Sequence, residues 1–186
     1  MNNNNMDNLQ LYARLRVLYR KCIEELKELG IPFSNSISLD VNFTALTRWG
    51  QCSKRMTSTG NSHYTITISA DLLKNGTEKG IMQTIHHEIL HTCNGCMNHK
   101  TIWKRYADIV NNAYGYEISR TNSAQNLGYT EEQIKAHRYK DAKYILQCKN
   151  ESCNVEYVYK RKGTIVKEYK SCRCGRCHSE LKLITL

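Results

Sequence analysis

Apolar residues recur at three- and four-residue intervals near the start of the chain. Leu11, Leu15, Leu18 and Cys22, joined by Tyr12, Tyr19, Ile23 and Leu26, describe an amphipathic helix over about residues 7–29. Gly30 and Pro32 end it. The first eight residues, MNNNNMDN, carry no such pattern and read as a loose polar tail. Two short strand candidates follow at 37–43 and 48–52. Over 63–69, Tyr64, Ile66 and Ile68 alternate with His63, Thr65 and Thr67, the period of a half-buried strand. Helical spacing returns over 77–92, with Ile81, Ile85 and Ile89 on one side, and again over 101–113, with Ile102, Tyr106, Ile109 and Val110. No period is legible over 114–129. A short helix is expected after Thr130, where Glu131 and Glu132 suit the positive end of a helix dipole. From Tyr144 onward the chain turns to β-prone pieces at 144–147, 155–159, 165–169 and 181–184, punctuated by cysteines. This change of character places a domain boundary near residue 140, dividing the chain into 1–140 and 141–186.

Composition narrows the picture. The chain has 186 residues, 40% hydrophobic and 24% charged, which suits a folded protein and excludes wholesale disorder. No run approaches the roughly 18–20 apolar residues that span a bilayer, and the start lacks the basic-then-apolar pattern of a signal peptide. A cytoplasmic protein without membrane contact is therefore expected. In that reducing compartment the nine cysteines are better suited to metal ligation than to disulfides. The formal charge of +10 is uneven: residues 137–186 hold 12 Lys/Arg against 5 Asp/Glu, so that this end supplies +7. Such an excess favours polyanionic partners, although a soluble basic face would have the same composition.

One segment carries specific chemistry: His87-Glu88-Ile89-Leu90-His91. Residues four apart lie one above the other on a helix, so His87 and His91 can grip one ion, and Glu88 sits one residue round, within reach of a water on that ion. Zn2+ acidifies such a water, and a carboxylate can take its proton as it attacks a carbonyl, then deliver it to the leaving amine. A catalytic zinc keeps three protein ligands and an open position, which calls for a third donor. His99 is the candidate, because Asn94 and Gly95 can end the helix and let the chain fold back. The metzincin pattern would place Gly at position 94 and His at 97, where this chain has Asn94 and Met97. His86 points about 100° away from His87 and reads as a surface or supporting residue. Cys93 and Cys96 form a C-x-x-C read chiefly as adjacent thiols, with metal or redox roles left open.

A second constellation lies in the tail. Cys148 and Cys153, then Cys174 and Cys177, form two pairs that can close a tetrahedral zinc site of the ribbon type, in which metal supplies much of the folding energy. The first pair is spaced more widely than a common knuckle, and Cys172 and His178 stand in reserve as ligands. Lys160, Arg161 and Lys162 at an expected hairpin tip, with Tyr157 and Tyr159 nearby, could meet phosphates and stack on bases.

Together these residues resemble the SprT-like metalloprotease family, which includes the Spartan proteases that digest proteins crosslinked to DNA. The resemblance rests on Arg48-Trp49-Gly50-Gln51-Cys52 and the strand after it, on His87-Glu88-Ile89-Leu90-His91, on His99 with Trp103 four residues on, on the segment from Tyr114 to Thr121, and on the cysteine pairs. It implies an α+β fold: a small mixed sheet packed on helices with a zincin-type active-site helix, followed by a small β zinc ribbon. It also implies a zinc endopeptidase with His87, His91 and His99 as ligands, Glu88 as acid/base, one catalytic and one structural Zn2+, protein substrates, and DNA, single-stranded or damaged, as partner, with association to the nucleoid. Two features depart from the family: Lys100 stands where a Gly often follows the third His, and no room remains for the long partner-recruiting tail of the animal proteins. Two other readings are kept: a non-catalytic nucleic-acid-binding adaptor in which a fourth ligand such as Cys93 or Cys96 closes the first site, and a hydrolase of some other amide or ester.

Overall fold

The computed structural model describes residues 3–45 and 48–186, with the side chains of residues 3–7 left aside. The chain divides into two compact units, 1–130 and 131–186.

The first unit opens with helix α1 (Asn3–Glu28). It starts earlier than its apolar stripe, so Asn3 to Asn8, expected as a loose tail, are helical; Met1 and Asn2 of that tail lie outside the described residues. The stripe itself is buried at Leu11, Leu15, Leu18, Cys22 and Leu26. Three strands follow: β1 (Ile37–Asn42), β2 (Gly50–Met56) and β3 (Ser62–Ser69). They form a mixed sheet in the order β1-β3-β2, with β1 parallel and β2 antiparallel to β3. Central β3 turns Tyr64, Ile66 and Ile68 into the core, in line with their alternation. Edge strand β2 begins at Gly50 and runs on to Met56, later and longer than expected.

A six-residue helix, α2 (Ala70–Asn75), joins β3 to α3 (Glu78–Leu90). The Thr77 side chain caps α3 by accepting from the Gly80 N–H. Every residue from Gly80 to Leu90 except His87 is buried, because α1 packs on one side of this helix and β2 and β3 on another. A helix buried all round tolerates polar residues only where they are bonded, which makes each one on α3 informative. Helix α4 (Thr101–Tyr114) ends at Gly115 in the left-handed region (φ 68°). Beyond it the chain returns without regular structure.

The second unit holds α5 (Glu131–Tyr139), β4 (Tyr144–Cys148), β5 (Glu156–Tyr159), α6 (Thr164–Lys167) and β6 (Leu181–Thr185). The division falls ahead of α5, against an expected boundary near 140; Arg138 and Tyr139 hydrogen-bond Glu156 and so tie this helix to the later strands. The strands form an antiparallel sheet in the order β5-β4-β6. Its small core is Leu146, Cys148, Cys174 and Leu181. The strand expected at 165–169 is instead α6 and a 3-10 turn at Tyr169–Ser171. Ile165 is exposed while Val166 is buried and Tyr169, three residues on, packs against the core, which is helical spacing.

Ile85 is fully buried at the centre of α3. Ile85→Ala is expected to lower the stability of the first unit by about 2–5 kcal/mol, read as a shift of its urea unfolding midpoint.

Candidate metal centre

Helix α3 brings His87, Glu88 and His91 to its last turn, with His91 as the C-cap. The chain then reverses through a turn in which Gly95 takes φ 75°, a conformation that costs glycine little. His99 comes back beside the helix immediately before α4. The Nε2 atoms of the three histidines converge: His87 to His91 is 3.3 Å and His87 to His99 is 2.9 Å. Lys100, where the family often has Gly, lies in ordinary extended backbone (φ −82°) and needs no glycine.

Two backbone carbonyls decide which nitrogens point inward. His87 Nδ1 lies 3.0 Å from the carbonyl oxygen of Ser119, and His91 Nδ1 lies 2.7 Å from that of Cys96. A carbonyl oxygen only accepts, so in each ring Nδ1 carries the proton and Nε2 a lone pair. Two lone pairs therefore face each other at 3.3 Å with no proton between them. Only a cation relieves that contact. Ligands of a tetrahedral zinc at about 2.0–2.1 Å stand about 3.3–3.4 Å apart, close to the spacing of this pair. Burial and the neighbouring imidazoles push His87 down to about 3, and burial lowers His91 and His99 as well, so the rings stay in the neutral form that binds metal.

Trp103, on the first turn of α4 and almost wholly buried, packs against all three rings, with centroids 4.8, 5.7 and 4.6 Å from those of His87, His91 and His99. Glu88 is buried beside the trio. Desolvation raises its pKa to about 8, opposed by the Cys52 backbone N–H that donates to it and by the charge of Arg48. A cation nearby would lower it again. A Cβ on Gly50 would stand 2.6 Å from Glu88 Oε1 and 2.9 Å from its Cγ, so the edge of the sheet can close on the carboxylate only because residue 50 is glycine. His87 and Glu88 floor a cleft of about 230 Å3, with Arg48 and Gly50 on one wall and Arg120 and Asn122 on the other.

The second wall is pinned residue by residue. Tyr116 donates its hydroxyl to Glu25, the Glu117 N–H donates to Gln83 Oε1, and Asn111 bonds both backbone groups of Ile118. Ser119 then meets His87. Glu25 also binds His86 at 2.7 Å. His86, expected as a surface or supporting residue, is therefore a buried link from α3 to α1 and stands outside the trio. Cys93 and Cys96 are buried free thiols outside it as well. Among the described residues the cluster holds three side-chain donors and no fourth. Glu25, Gln83 and Asn111 escaped sequence reasoning, because a polar residue inside a helical pattern does not reveal its partner.

In the second unit Cys148, Cys153, Cys174 and Cys177 converge. Cys148 Sγ is 3.4 Å from Cys177 Sγ and Cys153 Sγ is 3.7 Å from Cys174 Sγ. Disulfides need about 2.05 Å, whereas tetrahedral zinc with sulfur at about 2.3 Å separates its ligands by about 3.8 Å. The wide first pair is accommodated by Asn150, whose carbonyl accepts from the Cys153 and Asn154 N–H groups, with Asn154 at φ 45°. The Tyr157 hydroxyl accepts from the Gly175 N–H at 2.8 Å and lies 3.5 Å from Cys174 Sγ; that bond and the Arg176 and Cys177 N–H groups bring the thiol down to about 6. Tyr157 is thus committed to the knuckle, and Tyr159 packs on the core. Lys160 to Gly163 lead from β5 into α6, so the basic run is no hairpin tip. Cys172 donates to the Glu168 carbonyl, and neither it nor His178 joins the cluster.

A three-histidine centre beside a buried carboxylate and a four-cysteine ribbon fit a zinc-dependent protein. The model of the SprT-like family matches residues 19–122, more than half of the chain, and the chain belongs to that family. The match spans both walls of the cleft and all three histidines, and ends ahead of the ribbon. No curated protein matches the chain.

Two zinc ions per chain are expected by elemental analysis. His91→Ala should leave one. In cobalt-substituted protein, thiolate charge-transfer bands should survive His91→Ala and vanish when Cys153 and Cys174 are replaced by Ser.

Proposed function

We propose that the protein is a zinc-dependent endopeptidase associated with DNA. The observation that carries the reading is the convergence of His87, His91 and His99 beside buried Glu88 in an open cleft. A zinc ion held by the three histidines would supply a Lewis acid and lower the pKa of its water to about 7. Glu88, oriented by the Cys52 N–H, takes a proton from the attacking water and returns it to the leaving amine. Three donors without a fourth suit an open coordination position better than the closed site of an adaptor protein. Membership of the SprT-like family supports peptide bonds as the substrate over other amides or esters, and DNA–protein crosslinks as the setting. Among the described residues no helix is long and apolar enough to cross a membrane.

DNA as partner is supported by the charge of the ribbon end. Arg161 and Lys162 are exposed, while Lys160 lies 3.6 Å from Asp141 and is partly neutralised.

Glu88→Gln is expected to retain both zinc ions and to lose cleavage of an unfolded protein substrate by about three orders of magnitude or more, measured with and without single-stranded DNA. Undiminished cleavage would refute the mechanism. Replacing Arg161 and Lys162 together by Ala should flatten the slope of log affinity against log salt for single-stranded DNA by about 1.4, roughly 0.7 for each lost phosphate contact. An unchanged slope would remove these residues from the interface.

A further inference from the structure

Two guanidinium groups face the cleft, in different circumstances. Arg48 is engaged: its Nη1 donates to Gln51 Oε1 at 2.6 Å, and its charge favours the ionised form of Glu88. Arg120, from the opposite wall, makes no hydrogen bond or ion pair among the described residues. Its backbone is nevertheless held on both sides. The Ser119 carbonyl accepts from His87, and the Ser119 hydroxyl bonds the Thr121 carbonyl at 2.8 Å and Asn122 Oδ1 at 3.3 Å. Arg120 is thus kept in register with a metal-binding histidine while its charge is left in the cleft. That charge is close enough to His99 to help hold the imidazole neutral.

Arg120 is exposed, and beside a centre suited to another cation its charge meets a repulsion that water screens but no carboxylate cancels. Arrival of negative charge reverses the sign. In amide hydrolysis that charge develops on one atom: the water oxygen bonds to the carbonyl carbon, one water proton passes to Glu88, and the carbonyl π pair moves onto its oxygen. On collapse the carbon–nitrogen bond breaks and the amine leaves with the proton from Glu88. We infer that Arg120 is a catalytic residue of this reaction, donating a guanidinium N–H to the carbonyl oxygen as that oxygen becomes negative. The inference rests on the peptidase reading above. Guanidinium suits the task because it stays charged at any working pH and its donors form a rigid fork. The hydrogen bonds of Ser119 fix where this exposed side chain starts, and the guanidinium is ordered when the substrate oxygen meets it. Since the contact is to a main-chain oxygen, Arg120 makes no demand on the side chains of the substrate.

The test compares the full-length, zinc-loaded parent with Arg120→Ala and Arg120→Lys, using fluorescein-labelled casein and one peptide derived from its cleavage sites. Zinc content is measured in each. Arg120→Ala is expected to keep both zinc ions and to lose about a hundredfold in kcat, with KM within about threefold. Arg120→Lys should fall between, and added guanidinium ion should restore part of the Ala variant's rate. Affinity for a phosphinic peptide, a tetrahedral anion, should fall in step with kcat. An unchanged kcat in Arg120→Ala overturns the inference, as does a loss confined to KM for substrates with acidic residues, or a loss of zinc. A parent that cleaves nothing overturns the peptidase reading and this inference with it. An active parent with an unimpaired Arg120→Ala variant overturns this inference alone.

Discussion

The first unit is organised around an unfavourable contact. Two imidazole nitrogens, of His91 and His99, are brought within hydrogen-bonding distance of that of His87, and in the rings of His87 and His91 a backbone carbonyl has already claimed the proton. Left alone, facing lone pairs repel. The fold tolerates the arrangement because each histidine is held: His87 and His91 by the rigid spacing of a buried helix, His99 by the Gly95 reversal and the start of α4, and all three by contact with the Trp103 ring, on which His91 stacks. The fold thus holds three donors at one point, as a bound cation would require. Burial serves the same end by disfavouring the protonated rings.

Much of this was readable from local spacing. The long stripe of α1, the alternation of β3 and the His87-Glu88-x-x-His91 helix are signals that a few turns of chain carry by themselves, and four of the cysteines announce their site through paired spacing, whereas α4 buries Trp103, Ala107 and Val110 and leaves Ile102, expected on its apolar face, exposed. Reading stopped where the partner was distant or featureless. The orienting groups on His87 and His91 are carbonyls of Ser119 and Cys96, and every residue has a carbonyl. Short α2 is too brief to establish a period. Val166 and Tyr169 show their helical spacing only once the ribbon core is known. The loose appearance of the first residues reflected missing apolar positions, which removes the packing signal without preventing a helix from extending backward.

The two metal sites are built on opposite principles. In the first unit a large apolar core precedes the site and imposes its geometry. In the second, the cysteines are themselves half of the buried core, so a metal held there would substitute for apolar bulk that so few residues cannot provide. One site is the product of its fold, and the other is a cause of it.

The hydrogen bond from His87 to Ser119 joins residues 32 positions apart. Its acceptor reaches the ring only after α4 has formed, Gly115 has turned the chain, and Gln83 and Asn111 have captured the returning segment. A chain emerging from the ribosome holds the two histidines and the glutamate well before that acceptor exists. The orienting bond on His87 is therefore among the last parts of the centre to be made, and a nascent or misfolded copy lacks it. Completion of the centre thus waits on completion of the first unit's fold.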